Sequence, residues 1–140
     1  MPGMARASTL ISNLVYDDPE AAAHWLCRAF GFEEVMIAKD DNGRFLHGEL
    51  RFGQDLLFIA PPYQKDGYKQ TAPAETNNQS QSICGAVEDV DAHHARAIAA
   101  GAAILSELAD THWGARMYTC ADPEGHIWTF GNYWGAATTE

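Results

Sequence analysis

Positive charge is scarce in this chain. Nine Lys and Arg face nineteen Asp and Glu, for a formal net charge of −10 with His neutral. Nucleic-acid backbones are held by clustered cations, so this balance excludes a phosphate-backbone partner. It also favours neutral or cationic ligands over anions. Long apolar runs are missing too. No stretch approaches the length that spans a bilayer, and no apolar leader core follows Met1-Pro2-Gly3-Met4-Ala5-Arg6; neither a membrane partner nor export is expected. Cysteine is limited to Cys27, Cys84 and Cys120, an odd number without a CxxC spacing. Reduced, buried thiols in a cytoplasmic protein are the expectation. The GxSxG, P-loop and GxGxxG templates are absent, and Ser82 and Cys84 have no identifiable base partner, so no nucleophile is assigned.

What is present is enough apolar material for a core: 46% of 140 residues. Asp17-Asp18-Pro19-Glu20 reads as a helix start, with an Asp cap, Pro in the first turn and an acid where the helix dipole favours it. Ala22, Trp25, Leu26, Ala29 and Phe30 follow at helical spacing, and Gly31 ends the helix. A strand over Thr9 to Val15 precedes it. Strands over Glu33–Ala38, Arg44–Phe52 and Leu56–Ala60 come after it, separated by the turn signals Asp40-Asp41-Asn42-Gly43 and Gly53-Gln54-Asp55.

The second half repeats that order. A strand over Ser82–Val87 leads to a helix opened by Asp89 or Asp91 and closed at Gly101, then to strands over Ile104–Leu108, Arg116–Cys120 and Ile127–Phe130. A shift of about 71 residues lays one half on the other, pairing Ile11 with Ser82 and Phe58 with Thr129. The last two strands flank the tight turn of Asp122-Pro123-Glu124-Gly125. Between the halves, residues 61–81 are rich in Pro, Gln, Asn, Thr and Ser, which reads as a linker, a lid or a swapped arm. Each half is then βαβββ, and a four-stranded sheet with one helix leaves one face to meet another sheet, a subunit or a ligand.

Single histidines offer little at this level. His93 and His94 are adjacent on a helix and point about 100° apart, so they do not chelate together. His94 is expected to pack on the sheet, with His93 facing water and His24 on a helix surface. His47 and Glu49 alternate on one strand face. They are read as wall residues that bond each other or pair with Arg51 or Arg116, or else as an acid–base pair.

The order of these pieces resembles the vicinal oxygen chelate superfamily of glyoxalases, bleomycin-resistance proteins and extradiol dioxygenases. The resemblance rests on Tyr16-Asp17-Asp18-Pro19-Glu20-Ala21-Ala22, Trp25 to Phe32, His47-Gly48-Glu49-Leu50, Val87 to His93, Ala99-Ala100-Gly101-Ala102, Trp113-Gly114-Ala115-Arg116 and the Asp-Pro-Glu-Gly turn. It implies an α+β fold in one domain over 1–140. Two tandem βαβββ modules, 7–60 and 82–134, joined by linker 61–81, would form cupped mixed sheets with helices outside. It also implies a homodimer.

Metal-dependent members of that superfamily take His or Gln, Glu, His and Glu from the first and last strands of each half. Those positions fall on Ile11, Phe58, Ser82 and Thr129, two hydrocarbons and two hydroxyls, which do not form a set for a divalent ion. The expectation is a cup without metal or other cofactor, holding a small organic ligand as bleomycin-resistance proteins do. Its walls are Asn13, His47, Glu49, Phe58, Ser82, Cys84 and Thr129, with Trp113, Arg116 and Tyr133 beside them; Arg116 reaches the pocket or pairs with Asp122 or Glu124. A metal-dependent lyase or dioxygenase using other ligands, and a metal-free enzyme using His47 and Glu49, are the alternatives.

Overall fold

A computed structural model describes residues 9–136. The Met1–Arg6 segment and the outermost residues of the expected domain lie outside the described residues. The first half contains β1 (Ser12–Val15), α1 (Pro19–Phe30), β2 (Glu33–Lys39), β3 (Phe45–Phe52) and β4 (Asp55–Ala60). Asp18 caps α1 by accepting from the Ala21 amide at 3.2 Å, Pro19 fills the first turn, and Gly31 closes the helix at φ 86°. The strands order as β1-β4-β3-β2, with β1 parallel to β4 and the rest antiparallel.

Residues 61–81 are not a plain linker. They form a hairpin of β5 (Tyr63–Lys65) and β6 (Tyr68–Gln70) and a short helix, α2 (Pro73–Thr76). The signal was Asp66-Gly67 between two Tyr-bearing strands, a preferred hairpin turn.

The second half contains β7 (Ile83–Ala86), α3 (Val90–Ala99), β8 (Ala103–Asp110), β9 (Arg116–Ala121) and β10 (Ile127–Gly131), with sheet order β7-β10-β9-β8. The internal repeat is exact where the parallel ladders form. Asn13 pairs with Phe58 and Cys84 with Thr129, each residue 71 positions from its counterpart. Strands β1 and β7 are shorter than expected, and Ile11 and Ser82 lie just ahead of them.

The two halves share one core. Phe30 and Phe32 contact Trp128, while Phe52 and Phe30 contact Phe130, with ring centroids 4.7–5.9 Å apart. The helices meet as well. Trp25 Nε1 donates to the carbonyl of Ala100 at 2.7 Å, and the Arg96 guanidinium of α3 donates to the carbonyls of Cys27 and Arg28 at the end of α1. Each buried aromatic side chain contributes about 2–3 kcal/mol of transfer free energy. Because these contacts join the halves through the helices and one sheet face, the other face of each sheet stays open. No helix among the described residues is long and apolar enough to cross a membrane.

His93 is corrected by this packing. It does not face water: Nε2–H donates to the Phe30 carbonyl at 3.0 Å, and Nδ1 accepts from the Tyr118 hydroxyl at 2.6 Å. Its ring lies 4.2 Å from that of Phe130. His94 packs on Tyr118 as expected. Cys120 is buried, Cys27 half-buried and Cys84 exposed, so the expectation of buried thiols fails at Cys84.

Candidate functional site

The open face of the first sheet is set by strand alternation. On β3, Gly48 and Leu50 turn into the core, and His47 and Glu49 take the opposite face. Across the sheet, Glu49 lies opposite Phe58 and Phe58 opposite Asn13, giving one row from three strands. His47 Nε2 lies 2.8 Å from Glu49 Oε2, so these two partner each other rather than Arg51 or Arg116. The His47 ring meets Phe58 edge-on at 4.8 Å. Asn13, His47, Phe58, Pro61 and Tyr63 line an open hollow of about 590 Å³. Sequence reasoning missed the hairpin wall supplied by Tyr63 and Lys65.

The second sheet's open face carries the matching row Cys84, Thr129 and Thr119. The hydroxyls of Thr119 and Thr129 bond each other at 2.7 Å. Trp113 and Tyr133 pack edge-to-face at 5.0 Å, both substantially exposed, and Trp134 beside Tyr133 is more exposed still. Cys84, Met117, Tyr133 and Trp134 border a second hollow of about 820 Å³ that runs to the β3–β4 turn. Trp134 was not among the expected residues, although its place next to Tyr133 was the available signal.

Two expected residues fall elsewhere. Arg116 donates to Asp91 at 2.8 Å and Asp110 at 3.2 Å, not to Asp122 or Glu124, because both of those carboxylates are engaged at the β1–α1 junction. Ser82 lines, with Asn13, Gln70 and His126, a smaller polar hollow of about 350 Å³ beneath residues 70–82. The expected residues therefore lie on two open faces and the gap between them. The 590 Å³ hollow lies on the first sheet, whereas the 820 Å³ hollow spans both halves, from Phe52 and Leu56 to Cys84 and Trp128, and neither is lined by Thr129, Trp113 or Arg116.

The donor set at the superfamily's metal positions does not fit a divalent ion. Ile11 and Phe58 have no ligating atom, and the Thr129 hydroxyl is held by Thr119. Among the described residues no three His, Cys, Asp or Glu side chains gather as a metal site.

Comparison with known proteins agrees with the topology. The family model described as Glyoxalase/Bleomycin resistance protein/Dioxygenase superfamily matches residues 9–130. An uncharacterized protein of Mycobacterium tuberculosis (strain H37Rv) is 33% identical over 123 residues, covering 87% of this chain and 72% of that protein. The crystal structure of TioX from Micromonospora sp. ML1 is 33% identical, with a TM-score of 0.73 over 89% of this chain and 97% of TioX. The fosfomycin resistance protein FosX from Listeria monocytogenes, complexed with Mn(II) and sulfate, shares the fold at 15% identity and a TM-score of 0.61, covering 94% of this chain and 92% of FosX. With a family match across most of its length and the paired βαβββ sheets that go with it, the chain belongs to the glyoxalase/bleomycin resistance protein/dioxygenase superfamily.

Proposed function

We propose that this protein binds a small organic molecule without a metal ion, in a cytoplasmic homodimer whose cup is completed by a second copy. The observation that carries the reading is the chemistry at the four superfamily metal positions, Ile11, Phe58, Ser82 and Thr129, which supply no imidazole or carboxylate. FosX was crystallised with Mn(II); this chain has no such donor set to offer. Two open sheet faces of different character support the cup. One has His47, Glu49 and Phe58, and the other has hydroxyls, a thiol and the Trp113–Tyr133 pair. Aromatic side chains bordering a hollow with a few polar groups suit an organic ligand. A metal-free acid–base enzyme is the second reading, favoured by the 2.8 Å contact between His47 and Glu49.

The test combines metal titration, ligand screening and mass. Protein purified without added metal is titrated with Zn(II), Ni(II), Mn(II) and Fe(II), then screened by thermal shift against glycopeptide drugs, aromatic antibiotics and aldehyde adducts. Unchanged Tm with every metal, a raised Tm with an organic ligand, and a dimer by sedimentation are expected. Stoichiometric metal binding with turnover of a thiohemiacetal or a catechol overturns the metal-free reading, and a monomer that binds ligand fully overturns the shared cup.

A further inference from the structure

The bond between His47 and Glu49 has a consequence for the nitrogen it leaves exposed. Nε2 of His47 is the atom that meets Glu49 Oε2. An ionised carboxylate accepts and cannot donate, so the neutral imidazole keeps its proton on Nε2. Nδ1 is then a lone pair, and no bond to a described residue occupies it. The ring itself lines the open hollow that Phe58, Pro61, Pro62 and Tyr63 also border.

The charges around that nitrogen narrow the ligand. Arg44 and Lys65 line the same hollow. Lys39, on the neighbouring strand, is held by Glu20. Glu49 is the nearest anion and already accepts the His47 proton. Two cations and a partly neutralised carboxylate disfavour an ammonium ligand. A carboxylate or phenolate ligand has no proton to give Nδ1. A neutral hydroxyl on an aromatic ring satisfies both the lone pair and the apolar wall.

We infer that His47 Nδ1 is the acceptor that selects a neutral aromatic hydroxyl of the phenol class in this hollow, and that Glu49 is a positioning residue fixing its tautomer. This rests on the proposed small-molecule reading but not on the dimer.

The test uses the full protein labelled with ¹⁵N-histidine, observed by NMR while phenol, anisole or benzylammonium is added. The expected spectrum of the free protein shows His47 protonated at Nε2. Phenol moves the Nδ1 resonance, whereas anisole, which cannot donate, and benzylammonium, which is repelled, leave it in place. E49L mixes the two tautomers and weakens phenol binding roughly tenfold, the loss of about one hydrogen bond. E49Q keeps the side-chain volume and controls for folding, but its amide can either accept from Nε2–H or donate to Nε2, so its tautomer mixture and phenol affinity should fall between those of wild type and E49L. A proton on Nδ1 in the free protein, an equal response to anisole, or an unchanged phenol response in E49L overturns the inference. If phenol fails while other organic ligands raise Tm, the proposed function stands and only this inference falls.

Discussion

The Tyr16 hydroxyl donates to Asp122 Oδ2 across 2.6 Å, and both side chains are buried. That bond ties the end of β1 to the turn that opens β10. Trp128 Nε1 donates to the same carboxylate oxygen at 3.0 Å, and the amides of Glu124 and His126 donate to the other at 3.1 Å. The turn's remaining side chains reach the same junction. Glu124 accepts from the amides of Asp17 and Asp18, and His126 Nε2–H donates to the Val15 carbonyl. The Asp-Pro-Glu-Gly turn is therefore a clamp between the two repeats as well as a hairpin connection. Burial first, and the Asp122 charge second, raise the Tyr16 hydroxyl well above its ordinary pKa, keeping it a donor.

Removing the acceptor should cost more than removing one donor. Asp122→Ala leaves the buried Tyr16 hydroxyl and Trp128 N–H unpaired, and about 3 kcal/mol of stability should be lost. Tyr16→Phe leaves Asp122 three donors, and about 1–2 kcal/mol is expected. Urea unfolding of both variants checks the order; an equal cost would show that the carboxylate finds no use for its other partners.

The stability of this fold should depend on pH through His93. Burial is the largest influence on its imidazole and holds it below its ordinary value of 6.5; the Phe30 carbonyl opposes this, and the Arg96 charge adds to it. The folded state thus binds the proton more weakly than the unfolded chain does. The stabilisation is complete above 6.5 and is lost as pH falls from there through the lowered folded value. His93→Gln keeps a donor for Phe30 and an acceptor for Tyr118 without a titrating ring. Unfolding midpoints of the two proteins, compared between about pH 7.5 and about pH 5.5, should show a fall in wild type that the variant lacks.

Gly85 is where the second sheet approaches the shared core. A Cβ there would stand 2.7 and 2.8 Å from two ring atoms of Phe130 and 3.5 Å from Phe52. Phe130 is held between Phe30, Tyr118 and Trp128, so it has little room to yield. Gly85→Ala should cost about 1–3 kcal/mol by overpacking. A smaller side chain at 130 should offset this, making Gly85→Ala with Phe130→Leu less damaging than the two separate costs combined. Simple additivity in a double-mutant cycle would show that the clash is relieved elsewhere.

Local signals in the sequence located the elements well. Asp18-Pro19 and Gly31 bracket α1 as expected, and the shift of 71 residues reappears in both parallel ladders. What local signals do not carry is which faces of the repeats meet. His93 was assigned to solvent because periodicity describes one helix, whereas its burial comes from Phe30 in the other repeat. Residue type alone puts Cys84 among buried thiols while strand parity puts it on a sheet face; it is exposed, opposite Thr129. The partners of Arg116 on α3 and β8 were invisible for the same reason, since ion pairs between elements follow tertiary packing. Hairpin 63–70 differs: Asp66-Gly67 made it legible, and composition obscured it.

The exposed thiol offers a direct probe of the second sheet's open face. Cys120 is buried, and burial pushes its pKa up to about 12; burial also raises that of the half-buried Cys27. The thiolate is the reactive form, so both should react slowly with a disulfide reagent. Cys84 is exposed and stands opposite Thr129 on the face proposed to line the cup. One thiol should therefore react fast in native protein, and Cys84→Ser should abolish that phase. If two copies close the cup over this face, the fast phase slows as protein concentration rises, and a bulky maleimide on Cys84 drives the protein toward monomer in sedimentation. A fast phase independent of concentration, in a labelled protein that still pairs fully, would place the dimer contact on another surface and leave this face open to ligand from solvent.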